Sequence, residues 1–127
     1  MENKMIIAKF KKDGGSICAE VKSGFAQPGS YTLYLWEANS KKVVMERKGN
    51  FINTDDDKYE MSLPNEVNDQ RIIDVFVTLV ITPPIIDWYV ELEVTQDGNV
   101  IGEDHAGGQS SQKTETSKLL VKLVKED

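Results

Sequence analysis

A short acidic run near the middle of the chain is the first place where residue types and spacing could support chemistry. Asn53, Asp55 and Asp57 place oxygen ligands at positions one, three and five of a loop, the spacing that a calcium-binding loop uses. The pattern then departs from such a loop, because Lys58 stands where a glycine is needed and Pro64 where a bidentate glutamate is needed. These residues also suit a solvated turn whose carboxylates bond nearby backbone groups. We therefore expect no cofactor, with calcium as the alternative.

His105 and Cys18 are the side chains that could serve as a general base and a nucleophile. His105 follows Glu103 and Asp104, and carboxylates beside a histidine can tune it for proton transfer near neutral pH. A general base needs a fixed position, however, and the glycines that follow His105 predict a mobile segment. Cys18 has no second thiol for a disulfide, and its candidate base is distant in sequence. We expect a protein that is not an enzyme, and a small hydrolase remains an alternative.

Aromatic side chains form a third candidate site. Tyr34 and Trp36 lie two residues apart, so they share one face of a predicted strand, and Tyr89 lies on the outward face of a later strand beside Trp88. Exposed aromatic rings on a sheet face bind sugar rings or protein partners. Aromatic residues also fill and cover β-cores without binding anything. The pattern makes Tyr34, Trp36 and Tyr89 candidate binding residues.

Residues 72–82 must form the element that positions the others, because no other run is as long, as apolar and as β-branched. Side chains alternate across a strand, so one face of this segment is wholly apolar. The opposite face mixes Asp74, Thr78 and Thr82 with apolar residues. The pattern predicts a central strand with one face in the core and the other half covered.

Shorter alternating runs on both sides predict eight or nine strands in all. The turn signals between them include Asp13-Gly14-Gly15 and Asp97-Gly98, which suit hairpins, and a helical turn is expected only within residues 64–70. Frequent strands without crossover helices predict an all-β, antiparallel two-sheet β-sandwich, immunoglobulin-like or jelly-roll-like. A small open β-barrel is the alternative. Residues 102–117 are rich in glycine and polar residues, so we expect them to form a long mobile loop.

Composition limits the partners that the chain can have. A length of 127 residues fits a single domain over residues 1–127. The 15 Lys and Arg against 21 Asp and Glu give a formal charge of −6, which disfavours nucleic acid. No apolar run is long enough for membrane insertion, and no signal peptide is visible, so a cytoplasmic location is expected.

An apolar segment around Pro83 and Pro84 carries the functional hypothesis. Ile85 and Ile86 follow this break in the ladder, so at least one of them should point away from the core. They could form an interface with Tyr89, or they could cap the end of the sandwich. We expect a non-enzymatic protein interaction or assembly module whose partner is a protein, including a second copy of the chain. A carbohydrate-binding module that uses exposed aromatics is the first alternative.

Overall fold

The fold is a two-sheet β-sandwich, described by a computed structural model over residues 5–25, 27–51 and 58–126. These residues form nine strands in a five-stranded and a four-stranded sheet, as the sequence predicts, rather than the alternative open barrel. The strands are β1 Ile6–Phe10, β2 Ile17–Ser23, β3 Gly29–Trp36, β4 Val43–Asn50, β5 Lys58–Glu60, β6 Ile72–Val80, β7 Asp87–Gln96, β8 Asn99–Gln109 and β9 Thr114–Lys125, and a 3-10 helix spans Asn65–Asn68.

The five-stranded sheet has the order β1-β9-β6-β3-β4, which places β6 at its centre. The prediction of a central strand is therefore confirmed. Its alternate residues Ile73, Val75, Val77 and Leu79 are at most 1% exposed and face the four-stranded sheet, whose order is β5-β2-β7-β8. The inward side chains of β2 and β7 complete the core from the other side. Burial of these alternating positions is the main force that sets the register of both sheets.

The pairing of β1 corrects the expectation that all strands are antiparallel. β1 runs parallel to β9 in the five-stranded sheet, whereas β2 belongs to the four-stranded sheet, so the turn at Asp13-Gly14-Gly15 joins two sheets instead of closing a hairpin. Buried amide side chains support this crossing. Gln96 bonds the backbone N–H and C=O of Lys11, and Asn65 donates to the carbonyl oxygen of Gly14 at 2.9 Å.

The expectation of a long loop over residues 102–117 is wrong, because β8 extends to Gln109 and β9 begins at Thr114. Strand β8 pairs with β7 over its whole length, and this ladder satisfies its backbone despite the polar sequence. Its glycines allow close approach. A Cβ on Gly102 would lie 2.7 Å from the Cβ of Ala8, and one on Gly107 would lie 2.7 Å from the carbonyl oxygen of Trp88. Glycine here indicates tight packing between neighbours rather than a loop.

The outward faces of the two sheets differ in charge. The five-stranded sheet presents lysines on β1, β4 and β9, and the four-stranded sheet presents mainly glutamates. On the five-stranded sheet the outward lysines are Lys9, Lys48, Lys118 and Lys122, and the outward acidic residues are Glu46 and Asp74. On the four-stranded sheet the outward lysines are Lys22 and Lys58, and the outward acidic residues are Glu20, Glu60, Asp87, Glu91, Glu93 and Glu103.

Within the described ranges, no helix has the length and apolar character needed to cross a membrane.

Candidate functional site

The outward face of the five-stranded sheet carries a shallow groove of 480 Å³ across β3, β6 and β9. We call it the aromatic sheet face. It arises because β3 and β6 pair so that the outward residues of both strands lie side by side, Tyr34 opposite Asp74 and Thr32 opposite Phe76. The lining residues are Thr32, Tyr34, Trp36, Asp74, Phe76 and Lys118.

Asp74 is the unusual residue of the aromatic sheet face. It is only 7% exposed although it lies on an outward face, because the neighbouring aromatic side chains cover it. Its Oδ2 accepts a hydrogen bond of 3.0 Å from the indole N–H of Trp36 and lies 3.4 Å from the ammonium of Lys118. Its Oδ1 is buried and has no hydrogen-bond partner among the described residues. A buried carboxylate oxygen without a donor is costly, and because Oδ1 is shut off from solvent, a donor from outside reaches it only if the neighbouring side chains move.

The predicted aromatic pair lies on this face. The ring centroids of Tyr34 and Trp36 are 5.8 Å apart and the ring planes are inclined by 38°, and both side chains are half-buried. Phe76 is 48% exposed beside them. The two rings are tilted and therefore do not form one flat platform.

Two further apolar residues follow the end of β6. Ile85 and Ile86 are 46% and 37% exposed, while Ile81 at the same end of the sandwich is buried. The segment is fixed by a bond from the Ile85 N–H to the Thr82 carbonyl oxygen at 3.2 Å. The two isoleucines therefore lie outside the core, after β6, whose outward residue Val80 is 42% exposed.

A second groove of 630 Å³ lies at one end of the four-stranded sheet, and we call it the end groove. It forms where the chain leaves β2, begins β7 and finishes β8. The Gly24 N–H donates to the Tyr89 carbonyl oxygen at 2.9 Å and holds the segment after β2 against β7. The lining residues are Gly24, Phe25, Asp87, Trp88, Tyr89, His105, Gly107, Gly108 and Gln109.

Tyr89 and His105 are brought together in the end groove, which the expected loop around His105 did not predict. Their rings stack with centroids 5.7 Å apart and planes inclined by 28°. The Nδ1 of His105 lies 2.6 Å from a carboxylate oxygen of Glu103, and the Tyr89 hydroxyl donates to Glu91 at 3.3 Å. Burial, with Glu91 and Glu103 nearby, raises the pKa of Tyr89. The groove is thus aromatic, with Asp87 as the acidic residue of its lining.

Cys18 and His105 lie apart on the outward face of the four-stranded sheet. Cys18 pairs with Thr95 of β7, whereas His105 pairs with Glu91, four positions further along the same strand. At a rise of about 3.3 Å per residue they are separated by more than ~13 Å. Burial raises the pKa of the Cys18 thiol, which lowers its thiolate fraction. The two residues cannot act together as nucleophile and base.

The candidate calcium ligands Asn53, Asp55 and Asp57 lie outside the described residues. Among the residues that are described, no three His, Cys, Asp or Glu side chains form a group that could hold a metal ion.

Asp74 and Phe25 are the site residues that sequence reasoning missed. Asp74 had a signal, since a carboxylate within a long apolar central strand requires a specific environment. Phe25 had none, because its position beside Tyr89 depends on how the segment after β2 packs on β7.

Comparison of the chain with protein-family models, with curated proteins and with solved structures finds no match.

Proposed function

We propose that this chain is a non-enzymatic assembly module whose copies associate through the aromatic sheet face. The observation that carries the proposal is the exposed ring of Phe76 beside the buried Asp74 carboxylate, whose Oδ1 has no donor among the described residues. A partner that covers Phe76 removes its apolar surface from water, whereas Oδ1 is shut off from solvent and gains a donor only if the side chains around it move. Proteins keep such a costly arrangement mainly where it serves binding.

The partner proposed is a second copy of the chain, on the ground of charge. The outward face of the five-stranded sheet carries more lysines, Lys118 and Lys122 among them, than acidic residues, whereas the outward face of the four-stranded sheet is dominated by glutamates. The outward face of the four-stranded sheet of one copy therefore complements in charge the aromatic sheet face of another copy. Two unlike surfaces in contact give a head-to-tail assembly rather than a two-fold dimer.

The exposed isoleucines extend the proposed contact. Ile85 and Ile86 follow the strand that carries Phe76 and Val80. Truncating both to serine should reduce association with little loss of fold, since neither belongs to the buried core.

The carbohydrate-binding alternative has less support, because Tyr34 and Trp36 are tilted and half-buried and the Trp36 indole N–H is already bound to Asp74.

The decisive variant is Phe76→Ser, studied by light scattering and sedimentation velocity over a range of concentrations. We expect the wild-type protein to run above monomer mass at high concentration and Phe76→Ser to remain monomeric. Val67→Ser is the matched control, because Val67 is 40% exposed on the 3-10 helix, which belongs to neither sheet. A wild-type protein that stays monomeric, or a control that dissociates equally, would refute the proposal.

A further inference from the structure

The end groove is a binding site in its own right, separate from the aromatic sheet face. We infer that it binds the guanidinium group of an arginine side chain presented by a partner peptide. Three properties of the groove support this ligand: flat aromatic surfaces, an uncompensated negative charge, and an opening kept clear by glycine.

Aromatic surface is the first property. The stacked pair of Tyr89 and His105 offers flat rings, and Phe25 is 42% exposed at the edge of the groove. The faces of aromatic rings attract cations, and the planar guanidinium both stacks on a ring and keeps its N–H groups free for hydrogen bonds.

Negative charge is the second property. One carboxylate oxygen of Asp87 accepts a 3.1 Å hydrogen bond from Gln109, and the other has no partner among the described residues. Glu91 and Glu103 hold the Tyr89 hydroxyl and the His105 ring from behind. The described lining contains no lysine or arginine. Arginine can bind Asp87 while its plane lies against the rings, a geometry that an ammonium group matches less well.

Access is the third property. A Cβ on Gly24 would lie 2.9 Å from the Cδ2 atom of Tyr89, so any side chain there would cover this ring. Gly107 and Gly108 line the opposite side of the groove and have no side chains that could narrow it. A Cβ on Gly108 would lie 3.9 Å from the Trp88 indole nitrogen. A side chain of a bound peptide can therefore contact the rings without any movement of the groove residues.

The test is an NMR titration of the whole protein with three short peptides. Each peptide is an acetylated and amidated glycine-X-glycine, where X is arginine, lysine or citrulline, and citrulline has nearly the shape of arginine without its charge. We expect the arginine peptide to shift the signals of the Trp88 indole and the Gly107 amide in a saturable way. The lysine peptide should bind a few-fold more weakly, and the citrulline peptide about tenfold more weakly.

Asp87→Asn should weaken binding of the arginine peptide by about tenfold, because it removes the charge that faces the guanidinium. Glu66→Gln is the matched control, since it removes the same charge from the exposed 3-10 helix and should change nothing. Phe25→Ser, at an exposed position, should weaken binding without affecting the fold.

Three results would overturn the inference: no saturable shift, equal affinity for the citrulline peptide, or equal loss in Glu66→Gln and Asp87→Asn. The two proposals can be told apart by their variants, because Phe76 is on the other sheet and Phe76→Ser leaves the lining of the end groove intact.

Discussion

At the scale of single residues, Asp74 is a side chain whose burial opposes stability. Its Oδ2 is bound by Trp36 and Lys118, but its Oδ1 is buried without a donor among the described residues. The pair with Lys118 contributes little, because the lysine side chain is 58% exposed. Among the described residues, Asp74 therefore receives only part of the hydrogen bonding that its carboxylate can accept.

Asp74→Asn should therefore raise the free energy of unfolding, or leave it unchanged, within about 1 kcal/mol. Asparagine retains an oxygen for the Trp36 indole N–H and removes a buried charge. Urea denaturation measures the change, and the same variant should associate less strongly. If the free energy of unfolding falls instead by about 2 kcal/mol or more, as it does when one partner of a buried ion pair is removed, the carboxylate is well paired.

A second residue pair ties the end of β3 to the segment after the 3-10 helix. Arg71 donates to both carboxylate oxygens of Glu37, at 3.1 and 3.2 Å. The Arg71 hydrogen bond is the main reason that the pKa of Glu37 lies below its ordinary value of 4.5. A lowered pKa in the folded state means that the pair stabilises the protein above the unfolded pKa and stops doing so as the pH falls through the folded pKa.

Glu37→Gln should consequently lower the thermal midpoint slightly at pH 7 and have no effect in acid well below the ordinary glutamate pKa of 4.5. Differential scanning calorimetry at the two pH values measures both midpoints. Glu66→Gln, which removes an exposed glutamate from the 3-10 helix, is the control. A difference between wild type and Glu37→Gln that is as large in acid as at pH 7 would mean that the charge of Glu37 is not the cause.

At the scale of elements, the contrast between β6 and β8 shows what sequence patterns can predict. The alternating apolar residues of β6 leave water only if one face of the strand is buried. Both its strand character and its buried face therefore follow from the pattern. Strand β8 buries little, and its structure depends on the ladder that β7 offers. A polar, glycine-rich segment becomes a strand when its neighbour already fixes the register.

The contact of Gly102 with Ala8 can be tested directly. Gly102→Ala should destabilise the protein by about 1–3 kcal/mol, because its Cβ would lie 2.7 Å from that of Ala8 and would force β8 away from β1. The double variant Gly102→Ala with Ala8→Gly should recover part of the loss, as measured by chemical denaturation. If Gly102→Ala is as stable as the wild type, β1 and β8 do not pack this closely.

At the scale of the whole molecule, the sandwich has two unlike outward faces. One is aromatic and carries lysines, and the other is acidic and carries the end groove. This polarity exists within a chain whose net charge is −6, so it cannot be seen in the composition. It supports the head-to-tail contact proposed above.

Charge reversal on each face tests that polarity. Lys118→Glu and Glu93→Lys should each weaken self-association by about tenfold, since each makes a contact surface repel its partner. Mixed in equal amounts, the two variants should associate more strongly than either alone, because each then offers a complement to the other. Sedimentation velocity in low and high salt measures this, and association that is indifferent to salt or to mixing would contradict a charge-guided contact.

The sequence by itself predicted the strands that bury one face and the central place of β6, because period-two hydrophobicity is a local property. It favoured a sandwich over an open barrel, and the two separate sheets of the tertiary structure decided between them. Only the tertiary structure decided that β1 pairs in parallel with β9, since a turn sequence does not specify which sheet receives the next strand. It also decided that residues 102–109 extend a strand, and that Phe25, Tyr89 and His105 meet in one groove. Such contacts join segments that are distant in sequence, and their energies depend on neighbouring residues that a local sequence pattern does not specify.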